Sequence, residues 1–289
     1  MWNAKLCLGT DEKFGLPINE QIKFFKQAGF EGFFTEWHPG DDIAGWKETG
    51  DASGIVYQSI HAPFGRAADI WKNDGSAEAA ISELADCLKD CADNAVPIMV
   101  MHAFIGFNEH SPTKSGIENF KKIADIAGSL GVRLALENTE GEEYLAALMD
   151  SSASYGNVGF CWDSGHELCY NHSRDMLDLY GDRLLCTHLN DNLGIRDFGG
   201  EITWRDDLHL LPFDGVSDWK EIASRLVKTG YDGFLTFELC SYGKSDRHEN
   251  DAYQKMPIEM FIAEAYKRAC RVGTLWTAEK AKTTFEQKL

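Results

Sequence analysis

Short β-type apolar runs alternate with longer helical ones eight times along this 289-residue chain, which predicts an α/β fold, a (β/α)8 TIM barrel. Most β-type runs close on an imidazole or a carboxylate just before a polar loop, and barrels of this kind gather their chemistry at that end. No glycine-rich turn follows the first run, so the doubly wound open sheet that binds dinucleotides is the weaker competitor. No linker, repeat or low-complexity tract divides the chain, so residues 1–289 are read as a single domain.

The predicted strands are Ala4–Leu8, Gly32–Trp37, Val56–Ala62, Ile98–Phe104, Arg133–Asn138, Val158–Asp163, Leu184–Leu189 and Phe234–Leu239. The predicted helices are Asn19–Ala28, Ile43–Ser53, Ala77–Asn94, Gly116–Leu130, Glu142–Ser151, Arg174–Tyr180, Asp218–Thr229 and Ile258–Val272. Gly29, Gly131 and Gly230 each follow a helical run and precede a strand, as helix-stopping glycines do. In Ala77–Asn94, Ile81, Leu84, Ala85, Leu88, Cys91 and Ala92 recur at three- and four-residue steps, one stripe suited to the barrel's outer wall. Asn192–Val216 is too long for a plain connection and carries Asp207 and His209, so it reads as a functional loop. The tail, residues 273–289, is polar and reads as peripheral.

Charge narrows the partners. Against 46 Asp+Glu stand only 28 Lys+Arg, a net charge of −18. Such a surface repels polyanions, so no nucleic-acid partner is expected. No run approaches the roughly 20 apolar residues of a membrane helix, and no N-terminal signal peptide is visible. Eight cysteines in a chain this long read as reduced thiols, which suits a cytoplasmic protein. Composition leaves monomer and homo-oligomer equally open.

Four consecutive strand ends each present a ligand type: Glu137, Asp163, His188 and Glu238. Three carboxylates near a barrel axis carry a heavy desolvation and repulsion cost unless a cation joins them. The set therefore predicts a divalent metal ion, and imidazole with carboxylate suits a borderline one such as Zn or Mn. His61, His102, His166, Asp207 and His209 stand at other strand ends or loops; they are further metal ligands, substrate-binding groups or locally satisfied side chains. Trp37, Phe64, Phe104, Trp162 and Trp204 lie near ligand-bearing ends, where rings stack on sugars or pack the barrel. Glu36 ends the second strand and is a candidate hydroxyl ligand. Arg66, Arg196, Arg205, Lys244 and Arg247 follow strand ends; they read as solvated surface, with Arg196 retained as a candidate substrate contact. Cys161 and Cys186 precede ligands by two residues and read as small inward-facing core residues.

The strings His61-Ala62-Pro63, Leu136-Glu137-Asn138-Thr139, Asp163-Ser164-Gly165-His166, His188-Leu189-Asn190-Asp191, Asp207-Leu208-His209 with Pro212, and Phe237-Glu238 together resemble the xylose isomerase-like TIM-barrel superfamily. The resemblance spans about Ser59 to Glu238. It implies sugar-phosphate isomerases and epimerases, ketose 3-epimerases, inosose dehydratases or the apurinic endonucleases. In its epimerase-like branch one divalent ion, often Mn, Mg or Co, sits at the positions of Glu137, Asp163, His188 and Glu238, and the two glutamates exchange a proton next to a carbonyl. Glu143 stands six residues after Glu137, as a substrate-binding glutamate does in some ketose epimerases. In its endonuclease-like branch all nine residues hold three zinc ions. Acidity favours the first branch and a small-molecule carbohydrate substrate; a keto-sugar dehydratase or lyase, the zinc phosphodiesterase and a non-catalytic sugar-binding barrel are the alternatives. The loop from His209 to Gly215 is similar to a family loop written Pro-Gly-x-Gly, from which Phe213 departs.

Overall fold

The computed structural model describes residues 4–108, 111–195 and 202–286. Its strands are β1 (Lys5–Gly9), β2 (Gly32–Glu36), β3 (Val56–His61), β4 (Ile98–His102), β5 (Arg133–Glu137), β6 (Val158–Asp163), β7 (Leu184–His188) and β8 (Phe234–Phe237). They form one parallel sheet in the order β7-β6-β5-β4-β3-β2-β1-β8. Just past β7, Leu189 donates to the Thr236 carbonyl at 2.7 Å and bridges Phe237, which brings the two ends of the sheet together. The result is the predicted TIM barrel.

The helices are α1 (Ile18–Ala28), α2 (Ile43–Ser53), α3 (Gly75–Asp93), α4 (Lys114–Leu130), α5 (Glu142–Ser151), α6 (Ser164–Cys169), α7 (Met176–Tyr180), α8 (Trp219–Lys228), α9 (Asp251–Gln254) and α10 (Ile258–Glu286). Side-chain caps start several of them: Asp42 accepts from Gly45 N–H, Thr113 from Gly116 N–H, and Asp218 from Lys220 and Glu221 N–H. On α3 the buried face runs through Ala77, Ala80, Leu84, Cys87, Leu88 and Cys91, so the predicted stripe is rotated toward smaller residues. None of the helices among the described residues is long and apolar enough to cross a membrane.

Two expectations need correction. The segment after Val272 is not a peripheral tail: α10 continues to Glu286, and Trp276 is buried. Phe261, Ile262, Ala265, Ala269, Val272 and Trp276 keep one apolar face at helical steps, and that face carries the helix through Gly273. His166 is not in a loop either; it lies within α6, which Asp163 caps.

Between the strands and the outer helices lies the large core. Inside the barrel lies a smaller apolar cluster of Ile98, Val100, Ala135, Cys161 and Cys186. Both cysteines thus pack as the alternation predicts. Above this cluster Phe34 fills the space beside Gly9, where a Cβ would come within 2.6 Å of the ring. Its ring stacks on His188 at 4.7 Å, so a glycine on β1 lets an aromatic on β2 set the plane of an imidazole on β7.

Candidate functional site

Glu137 is the hub. It ends β5 with no solvent exposure. Its Oε2 lies 3.1 Å from His61 Nε2 and 3.4 Å from His102 Nε2, and its Oε1 lies 3.0 Å from His188 Nδ1. His188 Nδ1 is also 3.0 Å from Glu238 Oε2, so one imidazole nitrogen sits between two carboxylates. Asp163 joins through β6. Its Oδ1 accepts from His166 N–H at 2.6 Å and its Oδ2 from Asn190 Nδ2 at 2.8 Å. Asn190 can approach because Gly165 has no Cβ, which would stand 1.9 Å from the Asn190 Oδ1. Asn138 clamps the same turn, accepting from Asp163 N–H and donating to its carbonyl, both at 2.8 Å.

A second group surrounds Asp207. His209 Nε2 comes within 2.8 Å of its Oδ1 and His166 Nε2 within 3.5 Å, while Lys244 Nζ lies 3.2 Å from its Oδ2. The nine sequence-predicted residues therefore converge. Ligand atoms of Glu137, Asp163, His188 and Glu238 all lie within 4.8 Å of one another, as do those of His61, His102 and Glu137, and of Asp163, His166 and His209.

Electrostatics follow from crowding and burial. Burial pushes Glu137 upward, but His188, His102 and His61 outweigh it and hold the carboxyl well below its usual range. Burial also opposes the charge on Glu238, yet His209 and His188 bring it down to about 2. Asp163 goes the other way: burial, with Glu137 nearby, lifts it to about 6. His166, despite burial, is raised to about 10 by Asp163 and Asp207. Imidazole and carboxylate thus favour each other's charged form at His61, His166, His188 and His209, whereas burial lowers His102.

The same atoms fit a cation. His61 Nδ1 is 2.8 Å from the Ala62 carbonyl and His166 Nδ1 is 3.1 Å from the Asn138 carbonyl, so each Nδ1–H has its acceptor. Each Nε2 is then turned on a carboxylate oxygen, and a lone pair facing a lone pair needs a proton or a metal between them. His209 Nε2 and Asp207 Oδ1 are buried and lack hydrogen-bond geometry despite their close approach. Imidazole and carboxylate donors of this kind suit a borderline divalent ion.

A cavity of about 470 Å³ opens on this cluster, lined among others by Glu36, Phe34, Phe64, Trp204, Asp207, His209 and Glu238. Its size is that of a small-molecule site, roughly 300–1,000 Å³. Glu238 faces the cavity, whereas Glu137 lies beneath it, fully buried. Phe64 also stacks on His102 at 4.8 Å.

Several expected substrate contacts are elsewhere. Trp37 is buried and donates from Nε1 to Asp90 on α3 at 2.6 Å. Trp162 is buried, donates to Glu167 at 2.8 Å and carries the Arg225 guanidinium 5.2 Å from its ring. Each follows or precedes an inward ligand by one residue, so the pleat turns it outward. Phe104 stacks on Tyr144 at 4.0 Å, away from the cavity lining. Glu143 is exposed in the first turn of α5, also outside that lining. Arg196 lies outside the described residues. Sequence reasoning assigned no role to Asn138 or Asn190, although both stand in the quoted motifs beside their ligands. It also passed over Phe34 and the loop after β1, where Asp11 and Lys13 line the cavity. Lys244 and Arg247 were expected as solvated surface; Lys244 pairs with Asp207, and Arg247 is buried and bonds Glu249 at 2.9 Å.

The departure at Phe213 now has a geometry. Its φ is +75°, the left-handed region that a glycine at this position would occupy without cost. Asp191 holds this loop: its carboxylate accepts from Phe213 N–H, Ser217 N–H and Trp219 Nε1 at 2.8 to 3.0 Å.

Comparison with known proteins bears on the whole arrangement. Residues 22–260 match the family described as xylose isomerase-like TIM barrel. Among curated proteins the chain is 36% identical over 152 residues to the uncharacterized protein y4fM of Sinorhizobium fredii, a match covering 48% of this chain and 44% of that protein. It is 23% identical over 201 residues to the uncharacterized protein MJ1311 of Methanocaldococcus jannaschii, covering 62% of this chain and 63% of that protein. The matches thus span less than two thirds of either relative. Solved structures share the fold at low identity. An L-ribulose 3-epimerase superposes with a TM-score of 0.69 at 16% identity, covering 98% of this chain and 97% of that one. A zinc-bound IOLI protein gives 0.68 at 18%, covering 95% and 99%. The 3-keto-D-glucoside 4-epimerase YcjR of E. coli gives 0.65 at 16%, covering 90% and 99%.

Proposed function

The chain belongs to the xylose isomerase-like TIM barrel family, and from that premise we propose that it is a divalent-metal-dependent isomerase or epimerase of a small carbohydrate. One observation carries the reading: the Glu137–His188–Glu238 line, with one nitrogen 3.0 Å from both carboxylates, opens on the cavity through Glu238. Glu137, Asp163, His188 and Glu238 would hold the ion. Bound there, it would supply the Lewis acidity that makes a C–H beside a carbonyl acidic enough to ionise. Glu238 and Glu137 are the carboxylate pair that moves the proton, and Glu238 meets the substrate first because it lines the cavity. Asn138 and Asn190 hold Asp163 in place. Phe64 and Trp204 offer ring faces to the sugar's C–H groups. The names of the epimerase neighbours and the zinc in the IOLI neighbour are consistent with this chemistry.

The test is exchange of substrate C–H with solvent deuterium over a panel of ketoses, aldoses and inososes, with elemental analysis of the purified protein. A bound divalent ion is expected, and Glu238→Gln should slow exchange by about 10²- to 10⁴-fold with the fold intact. Unchanged exchange removes Glu238 from its role. Metal-free protein that also ignores added metal removes the ion.

A second reading rests on the other two ligand groups, His61-His102-Glu137 and Asp163-His166-His209. With three ions the centre would suit phosphodiester cleavage. The net charge of −18 opposes a nucleic-acid substrate. Three ions per chain together with incision of abasic duplex at physiological salt would favour this reading over the first.

A further inference from the structure

Beside the cavity over Glu238 lies a second one of about 510 Å³. The two share Lys13, Tyr242 and Gly243 as a common wall. Lys13 Nζ donates to Tyr242 Oη at 3.0 Å and lies 4.2 Å from the ring centroid, so one lysine and one tyrosine side chain form the partition. The remaining lining includes Phe14, Ser241, Tyr253, Gln254 and Met256.

This lining is ordered by the fold. The Tyr242 carbonyl accepts from Asn250 Nδ2 at 3.0 Å, and Asn250 is buried. Phe14 is buried against Phe261 at 5.6 Å, and Tyr253 packs on the same ring at 5.7 Å while its hydroxyl bonds Asp214. Its chemistry differs from that of the first cavity. There the walls carry Asp11, Glu12, Glu36, Asp207 and Glu238; here no carboxylate lines the space, and Lys13 is the one cation among the lining residues. Aromatic faces beside a hydroxyl and an amide suit a neutral polyol ring, whose C–H face stacks while its hydroxyls hydrogen-bond. A phosphate would find Lys13 as the one cation in this lining, and Glu259 in the first turn of α10 disfavours an anion at that helix end.

We propose that the second cavity binds a glycosyl unit, so that the substrate is a glycoside of the reacting sugar and not a free monosaccharide. This rests on the carbohydrate reading above. The reacting unit lies over Glu238, the linkage passes the Lys13–Tyr242 partition, and the second ring lies between Tyr242, Phe14 and Tyr253. Lys13 presents rotatable donors to hydroxyls on either side.

Titration calorimetry of the metal-loaded protein with D-fructose, with the glycosylated ketoses maltulose, isomaltulose and lactulose, and with D-fructose 6-phosphate tests this. At least one glycosylated ketose is expected to bind tenfold or more tighter than D-fructose. Gln254→Ala and Ser241→Ala, both outside the barrel core, are expected to reduce that affinity ratio about fivefold. Equal affinities, no binding of any probe, or tightest binding of the phosphate overturns the proposal. Deuterium exchange run on the same sugars separates the two claims. Exchange without a glycoside preference leaves the epimerase reading standing and removes the subsite, whereas a glycoside preference without exchange does the reverse.

Discussion

Strands β5 to β8 present two opposite chemistries two residues apart. At their ends stand Glu137, Asp163, His188 and Glu238; one pleat repeat earlier stand Ala135, Cys161, Cys186 and Thr236. Both sets point inward, because a strand turns residues i and i−2 to the same face. What separates them is the supply of partners. The end positions reach Asn138, Asn190 and His209, from turns and loops beyond the strands, and His166, from the first turn of α6. Of the earlier positions, Ala135, Cys161 and Cys186 pack against one another and against Val100 and Ile98 in one apolar cluster. Charge is tolerated at the barrel mouth and not one step below it.

Moving the upper chemistry down tests this most severely. Cys161→Asp would bury a carboxyl beneath Glu137 and Asp163 without a hydrogen-bond donor, at a cost of about 3 kcal/mol or more. Thermal melting should drop sharply, and a variant melting near wild type would break the comparison. Next in size is removal of a supporting partner. Asn190→Ala frees one oxygen of Asp163, and metal affinity measured by competition with a chelator should fall about 10- to 100-fold. Unaltered affinity would mean that the ligands need no support from the loops. The smallest effect concerns the loop itself. Phe213 holds φ at +75°, so Phe213→Gly should be more stable than Phe213→Ala by about 1 kcal/mol, the reverse of the ordinary order for these two residues. The ring's contacts with Trp219 at 5.7 Å and Arg271 at 3.7 Å are lost in both variants, so their difference isolates the backbone. Equal stability would locate the loop's constraint in the Asp191 hydrogen bonds instead.

Legibility followed the same division. Every strand was readable within a residue or two, because each apolar run is short and bounded by a turn. Glu137, Asp163, His188 and Glu238 are readable as a convergent set because each closes such a run. Trp37 and Trp162 stand beside inward carboxylates in sequence but not in space, and they pack instead of facing the cavity. Strand alternation, applied to them as it was to Cys161, sends both outward. The continuation of α10 past Val272 is hidden by its polar outer face, since among the described residues of that stretch Leu275 and Trp276 are the apolar side chains that meet the core.

The sequence by itself determined the barrel and the imidazole and carboxylate positions at its strand ends, His61, His102, Glu137, Asp163, His188 and Glu238. Those depend on periodicity and on where each apolar run stops, and both are local properties of the chain. Tertiary structure alone decided which oxygen faces which nitrogen, that Glu238 opens to the cavity while Glu137 is sealed beneath it, and that a second cavity lies behind Lys13 and Tyr242. These depend on the closure of β8 onto β1 and β7, which brings together residues more than two hundred positions apart, Lys13 and Tyr242 among them, through contacts that no local pattern encodes.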